Sequence, residues 1–225
     1  QNEILEITNS DILIMLDADV ILTGKNFVDE IVKPILEDEK IGVVGADTVS
    51  IVGRTFIENV IARSHEFKKN MYKKINDGDN IYLCHGRARA FSKKLYKNFE
   101  WPSEGPEDAF SYLACIKNNF KFKYSPNTKI KFRSPSSLTD HRKQSDRFRK
   151  GKKDLLKNFD KDFVQAEYNI PATIIMREMF LSMVKSPLLM FSYLFIYSYL
   201  MLLSKDKNID HSKIDPSESS KTLTI

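Results

Sequence analysis

The chain has 225 residues, of which 29% are charged and 42% are hydrophobic, and its formal net charge is +5. This length suits one sizeable globular domain with an appendage, and the composition argues against a disordered chain or a simple coiled coil. A pI near 9.0 favours a partner rich in phosphate, such as a nucleotide diphosphate or an anionic membrane. Cys84 and Cys115 lack CxxC spacing, so neither a disulfide framework nor a zinc knuckle is indicated.

Strands and helices are predicted to alternate along the first third of the chain. The apolar run 11–17 (DILIMLD) ends in acid and is typical of a strand buried on both faces of a parallel sheet. A helix at 27–37, a strand at 41–46 and a charged amphipathic helix at 54–75 follow. This alternation predicts an α/β fold that binds its ligand at the carboxyl end of the first strand.

The middle of the chain continues with shorter elements. A helix that starts with Pro106 and two acids has the composition of a helix N-terminus. The elements predicted here are strands at 81–84 and 88–91, a helix at 106–117, strands at 120–124 and 129–132, and a basic helix at 138–159.

Two apolar segments precede the C-terminus. Residues 171–184 are amphipathic and predict an interfacial helix. Residues 186–203 carry no charge, have lysines on both sides, and are just long enough to predict a transmembrane helix, with a buried core helix as the alternative. The chain is therefore divided into a folded domain at 1–160, a membrane-associated part at 161–204 and a polar, disordered tail at 205–225.

Asp17 and Asp19 form the first candidate site. Two carboxylates one residue apart can share a hard cation such as Mg²⁺ or Mn²⁺, which keeps further positions open for phosphate oxygens. An Asp-x-Asp pair is also common in ordinary loops. Its position directly after an apolar strand favours the metal site.

Two further groups of residues are candidates for chemistry. Glu107 and Asp108 lie where a helix begins, and the helix dipole there keeps a carboxylate ionised and able to accept a proton, although acids also cap helices without any such role. Gln144, Arg147 and Phe148 lie in a cationic stretch that could neutralise a diphosphate and offer an aromatic platform. The alternative for this stretch is a solvated basic face beside an anionic membrane.

In this order, the segments LDADVIL, HGRARAFSKKLY, EGPEDAFSYLACIKNNFKFKYSPNTKI and SPSSLTDHRKQSDRFRKG closely resemble the family-2 glycosyltransferases with a GT-A fold. Within that family they are most similar to the membrane-bound inverting synthases related to cellulose, chitin, hyaluronan and poly-N-acetylglucosamine synthases. The resemblance implies a GT-A-like, Rossmann-like mixed sheet with flanking helices, followed by interfacial and transmembrane helices. It also implies that the family's N-terminal nucleotide-binding unit is missing, so we expect an N-terminally truncated chain.

The resemblance also implies roles for the candidate residues. Asp17 and Asp19 would hold the donor diphosphate and its Mg²⁺ or Mn²⁺, with Asp19 preferred as the direct metal ligand. Asp108 would be the general base, with Glu107 beside it. His141 corresponds in position to a late metal-binding histidine of some GT-A enzymes, but its place beside Asp140 at a helix start favours a structural role.

The remaining roles concern the diphosphate and the acceptor. Gln144 and Arg147 match the family's Gln-x-x-Arg-Trp element at the donor diphosphate, and Phe148 stands where that element has Trp. Phe keeps an aromatic platform but lacks the indole N–H, which weakens the case for processive polymer synthesis. Gly86 matches a small residue on the acceptor side. Trp101 could stack on an acceptor sugar or pack against the domain edge.

The sequence thus predicts a metal-dependent, inverting glycosyltransferase. It would move a sugar from a nucleotide-diphosphate-sugar to a glycan or lipid acceptor at the cell membrane, with its catalytic domain facing the cytoplasm and no nucleic-acid partner. Haloacid-dehalogenase-like phosphatases also carry Asp-x-Asp after a strand, but the apolar residues 20–22 stand where that family has a Gly-Thr pair. The non-enzymatic alternative is a membrane-anchored basic module that binds anionic lipid or nucleic acid, and it leaves the acidic pairs without a role.

Overall fold

The computed structural model describes residues 2–103 and 105–205. In these ranges the chain forms a five-stranded sheet with helices on both faces. The strands are β1 (Ile12–Leu16), β2 (Ile21–Thr23), β3 (Ile41–Ser50), β4 (Ala88–Ser92) and β5 (Lys121–Phe132). The helices are α1 (Asn2–Ile7), α2 (Phe27–Glu37), α3 (Phe56–Tyr72), α4 (Lys93–Tyr96), α5 (Glu107–Lys117), α6 (Leu138–Leu155), α7 (Lys161–Glu167), α8 (Ala172–Lys185) and α9 (Pro187–Lys205).

The sheet is mixed, with the strand order β1-β4-β3-β5-β2. Only the β3–β5 pair is parallel among these neighbours, and the other three pairs are antiparallel. The predicted strands at 120–124 and 129–132 are one strand, β5, whose register against β3 shifts between Ala46 and Asp47. The predicted α/β class with a mixed sheet is confirmed.

β1 occupies an edge of this sheet. The prediction of a strand here is confirmed, but its predicted place inside a parallel sheet, buried on both faces, is wrong: β1 is half-buried and runs antiparallel to β4. Its continuous apolar sequence has a different cause. Leu13 and Met15 pack into the core on one face of the sheet, while Ile12 and Ile14 pack into the core on the other.

Two apolar cores sandwich the central strands. On one face α5 packs through Leu113 against Phe91 and Phe122, and on the other face α2 packs through Ile31 against Val44. The backbone of β3 is closely covered, since a Cβ added at Gly45 would lie 2.8 Å from the Phe122 ring. The central sheet is thereby a rigid platform for the loops at its edges.

Residues 81–84 do not form the predicted strand. Ile81–Leu83 is a 3₁₀ turn that begins after Asn80. The Asn80 side chain accepts a hydrogen bond from the Tyr82 N–H and donates to the carbonyls of Tyr72 and Ile75, so it satisfies backbone groups that a strand would pair with another strand.

The apolar C-terminal segment is a helix that packs against the protein. Met190, Tyr193, Ile196 and Leu200 of α9 are buried in a cluster with residues of α3, including Phe67. Within the described residues, no helix is both long enough and apolar enough to cross a membrane. The predicted transmembrane segment at 186–203 is therefore wrong.

Three further predictions concern the C-terminal part of the chain: a helix at 171–184, a division at residue 160 and a polar tail. The predicted helix at 171–184 is present as α8, whereas its interfacial placement stays a prediction. The division of the chain at residue 160 also stays a prediction. The predicted tail, 205–225, lies outside the described residues from position 206 onward.

A buried ion pair joins α3 to the end of β5. The Thr55 hydroxyl accepts a hydrogen bond from the Glu58 N–H at the start of α3. The Glu58 carboxylate lies 3.2 Å from the Arg133 guanidinium, and the two side chains are only 2% and 8% exposed. Such a pair adds little net stability by itself, but removing one member leaves the other charge buried.

We predict that Glu58→Ala lowers the free energy of unfolding by about 3–5 kcal/mol. The matched control is Glu37→Ala, which removes a carboxylate from the exposed helical pair with Lys33 and should cost less than about 1 kcal/mol. Urea unfolding of the three proteins measures both changes. Equal, small losses in the two variants would contradict the role given to the buried pair.

Candidate active site

The β1–β4 pairing brings the acidic loop to the segment around Gly86. Leu16 lies opposite Ala88 in the register, and the Asp17 N–H donates a 2.9 Å hydrogen bond to the Arg87 carbonyl. Asp17 and Asp19 therefore emerge from the sheet edge directly beside Arg87.

The first turn of α5 is fixed by a buried arginine. Arg89 is 2% exposed, and its Nη1 donates to the Glu107 carbonyl at 3.1 Å and to Ser111 Oγ at 2.7 Å. Ser111 Oγ in turn donates to the Asp108 carbonyl at 2.8 Å. Because α5 has no side-chain N-cap, these bonds from β4 hold Glu107 and Asp108 in place.

Gly86 lies against the Asp108 carboxylate. A Cβ added at Gly86 would be 3.9 Å from Asp108 Oδ2, which is ordinary contact, so a longer side chain would cover the carboxylate. The predicted acceptor-side residue and the predicted base are thus neighbours in the structure. The space that glycine leaves is where a hydroxyl group can approach Asp108.

Arg87 is the charge that connects the two acidic groups. Burial lowers the pKa of Arg87, while the negative charges of Asp17, Asp19 and Asp108 act in the opposite direction. Desolvation by the surrounding protein, followed by the negative charge of Asp19, raises the pKa of Asp17. The positive charge of Arg87 acts in the opposite direction and lowers that pKa. One guanidinium therefore interacts with both predicted carboxylate sites.

α6 brings the third predicted group to Asp108. Its Gly151 packs on Pro106, where an added Cβ would come within 3.1 Å of the proline ring, so α6 crosses close to the start of α5. Gln144 and Phe148 line a cavity together with Asp108. Arg147 is exposed and not among the lining residues, but its charge is close enough to act on Arg87.

The cavity has a volume of about 830 Å³. Its floor comes from β3 and the 3₁₀ turn, and its sides come from α3, α6 and the α8–α9 junction. One wall is aromatic: Tyr72 stacks on Tyr82 with ring centroids 4.3 Å apart, and Tyr168 meets Tyr82 edge-on. Asp17 and Asp19 do not line the cavity, so the acidic loop and the cavity meet at Arg87 and Asp108.

Trp101 is not brought to this site. It is 6% exposed and packs edge-on against Phe91 and Phe99 in the core, with no face open to a sugar. Of the two readings of Trp101, the structure favours packing.

The acidic loop offers two carboxylates to a cation. The described residues contain no group of three or more His, Cys, Asp or Glu side chains poised to hold a metal. The pair Asp17 and Asp19 nevertheless suits Mg²⁺ or Mn²⁺ bound jointly with phosphate oxygens, because the Asp19 charge opposes ionisation of Asp17 until a cation is present.

Comparison with known proteins gives a family match for the first part of the chain. Residues 1–99 match the family model of glycosyl transferase family 2. Over that region the match agrees with the predicted resemblance to family-2 glycosyltransferases, and it supports the predicted enzyme class. No curated protein matches the chain at a significant level.

The fold is similar to that of a solved structure. A mannosyltransferase from Pyrobaculum calidifontis, in complex with GDP-Man and Mn²⁺, aligns with a TM-score of 0.53 at 16% identity, covering 89% of this chain and 58% of its own. Glucosyl-3-phosphoglycerate synthase from Mycobacterium tuberculosis, in complex with Mn²⁺, UDP-glucose and phosphoglyceric acid, aligns with a TM-score of 0.41 at 17% identity, covering 64% and 49%. The first alignment supports the GT-A-like fold class. The chain spans just over half the length of that mannosyltransferase.

Sequence reasoning missed most of the cavity wall. Lys68 and His65 belong to a helix that the sequence identifies only as charged and amphipathic, and Tyr168 follows a helix with no recognised motif. Arg87 carried a usable signal, since it directly follows Gly86 in HGRARAF. Its electrostatic interaction with both acidic groups depends on the antiparallel register.

Two histidines near the cavity are held neutral. Burial, followed by the charge of Arg87, lowers the pKa of His85 from 6.5 to about 4, and burial, followed by Lys68, lowers that of His141 to about 4. The Nδ1 atom of His141 is buried and lacks a hydrogen-bond partner in the described structure. A depressed histidine pKa stabilises the fold above pH 6.5 and loses that contribution as pH falls towards 4.

We predict that His141→Gln flattens the acid limb of the stability profile. Between pH 7 and pH 5 the unmodified protein should lose about 2 kcal/mol more than the variant, because His141 must take up a proton on unfolding. Unfolding in urea at each pH measures this, and the two proteins should run parallel between pH 7 and pH 8.5. Identical slopes between pH 7 and pH 5 would contradict a neutral, buried His141.

Proposed function

We propose that the chain is the catalytic part of a metal-dependent, inverting glycosyltransferase that uses a nucleotide-diphosphate-sugar. The observation that carries this proposal is the meeting of the Asp17/Asp19 loop, Arg87 and Asp108 at the mouth of one cavity. The family-2 match over residues 1–99 supports it. The mannosyltransferase that shares the fold was solved with GDP-Man and Mn²⁺, which makes these the first donor and cation to test.

The acidic groups beside Arg87 have two separate tasks: Asp108 takes up a proton, and Asp17 and Asp19 hold the cation that neutralises the diphosphate. Asp108 accepts the proton of an acceptor hydroxyl that enters beside Gly86. The hydroxyl oxygen bonds to the anomeric carbon on the face opposite the diphosphate, whose bond to that carbon breaks, so the configuration inverts.

The leaving group is neutralised on the other side. A divalent cation held by Asp19 and Asp17 would supply positive charge to the departing diphosphate. Arg87 and Arg147, which lie close enough to act on each other's charge, would add to it, and Gln144 can donate a hydrogen bond. Glu107 lies beside the base. Phe148 is 55% exposed at the cavity wall and offers a face to an acceptor sugar.

The test separates donor binding from transfer in the complete gene product. Asp108→Asn should retain Mn²⁺-dependent binding of the donor but lower transfer by about 10²–10⁴-fold, because the carboxylate that takes the proton is gone. Asp19→Asn should instead weaken donor binding in the presence of Mn²⁺ by about tenfold or more. Asp29→Asn, an exposed acid at the start of α2, is the control that changes neither.

The outcomes decide between the two functions. Normal turnover in Asp108→Asn would remove Asp108 from the role of base. Binding that ignores Mn²⁺ and weakens only with salt would instead favour a basic module that binds anionic lipid or nucleic acid.

We further propose that this enzyme works at a membrane surface, on the cytoplasmic side of the cell membrane, with a glycan or lipid acceptor. α8 and α9 each expose an apolar stripe, and Arg149 of the cationic α6 reaches Met201 of α9. The stripe residues, which are 62–73% exposed, are Met176, Phe180 and Val184 of α8, and Leu188, Phe191, Phe195 and Leu202 of α9. Their spacing of three, four or seven residues places each set on one helix face, as in helices that lie in the interface of a bilayer.

We predict that the double variant Phe191→Glu/Phe195→Glu binds vesicles of mixed neutral and anionic phospholipid about tenfold or more weakly than the unmodified protein. Co-sedimentation with vesicles measures this. Leu36→Glu places the same charge on an exposed apolar position of α2 and should have no effect. Unchanged binding by a folded double variant would contradict the membrane-surface proposal.

A further inference from the structure

The charged residues that line the cavity beside Asp108 are mainly positive. Three arginines and four lysines line it, whereas the acidic residues among its described lining are Glu66 and Asp108. A neutral sugar acceptor has no use for such an excess of cations. The pattern suits a ligand that carries negative charge.

Most of these cations are already neutralised within the protein. Arg63 and Lys185 both pair with Glu66. Lys69 pairs with Asp47 at 3.0 Å. Arg149 pairs with Asp146. These four cations therefore form ion pairs within the protein.

Three cavity cations have no carboxylate within ion-pair distance in the described part of the chain. Each lies over an aromatic ring instead. The distances to the ring centroid are 5.6 Å for Lys68 over Tyr193, 3.8 Å for Arg87 over Phe132, and 4.6 Å for Lys152 over Tyr168. A ring face attracts a cation more weakly than a carboxylate does in a desolvated site, so these charges keep most of their capacity to bind an anion.

Lys68 and Arg87 line the cavity together with His65. The charges of both lower the pKa of His65, after the larger effect of burial. Burial also lowers the pKa of Lys68. Two partly desolvated cations in one cavity favour a ligand that carries more than one negative charge. A phosphate monoester carries about −1.5 to −2 at neutral pH.

We infer that the cavity binds an acceptor that carries a phosphate group, with Lys68 as the contact that anchors the phosphate. This rests on the proposed function, since it names the acceptor class for the same site. Arg87 lies at the end of the cavity near the acidic loop, and Lys68 lies at the α3–α9 side. The α8–α9 junction, which includes Leu189, borders the same cavity, so the tail of a lipid phosphate can leave towards the apolar stripes.

The test measures binding of octyl phosphate, below its micelle concentration, to the complete protein without donor or Mn²⁺. Lys68→Met should weaken binding about tenfold, the loss expected for one charge-assisted contact. Lys33→Met, an exposed lysine on α2, is the matched control and should leave binding unchanged. Lys68→Arg should restore most of the affinity.

Two further probes identify the source of the phosphate. If octyl phosphate binds about tenfold more tightly than inorganic phosphate, the acceptor is a lipid phosphate; if the two bind equally, it is a soluble phosphate compound. The inference is overturned if octyl glucoside binds as tightly as octyl phosphate, or if Lys68→Met leaves octyl phosphate binding unchanged. Because donor and Mn²⁺ are absent, either failure is separate from a failure of Mn²⁺-dependent donor binding.

Discussion

The buried guanidinium of Arg89 is the interaction on which the site depends. It lies in β4, the strand that pairs with β1 on one side and β3 on the other, and it donates to Ser111 and to the carbonyl of Glu107 at the start of α5. The first turn of α5 has no side-chain cap, so these bonds from Arg89 help to fix its position. Through Arg89, the same strand that sets the position of Asp17 also sets that of Asp108.

That arrangement explains why the candidate site was largely predictable and much of its surroundings was not. Acids after an apolar strand and acids at a helix start are local patterns, and the sequence carries both around Asp17 and Asp108. The strand register that places Gly86 beside Asp108 is a long-range property, and no local pattern encodes it. The resemblance to a family supplied that step in advance, whereas the roles of Lys68 and His65 had no comparable signal.

Two predictions that failed, the strand at 11–17 buried inside a parallel sheet and the transmembrane helix at 186–203, share one physical cause: composition does not report what covers a segment. The run at 12–16 is apolar because its two faces meet two cores, and this holds for an edge strand as well as for a central one. The run at 186–203 is apolar because Tyr193 and its neighbours pack against α3. Trp101, for which stacking on a sugar and packing were both open, is buried against Phe91 and Phe99. In each case the sequence shows that the residues are apolar or aromatic. Only the fold shows which surface they pack against.

The site has carboxylates on one side of Arg87 and cations on the other. Carboxylates that a cation can neutralise lie on one side of Arg87, and cations that an anion can neutralise lie on the other side, so each half of the site is electrostatically incomplete without a ligand of opposite charge. An incomplete arrangement of this kind costs stability in the unliganded protein, because like charges and desolvated cations oppose folding. Cavity-lining Lys68, Arg87 and Lys152 are held over aromatic rings, which limits that cost while leaving each charge accessible. The neutral histidines His65 and His85 follow from the same constraint, since further positive charge beside these cations would be unfavourable.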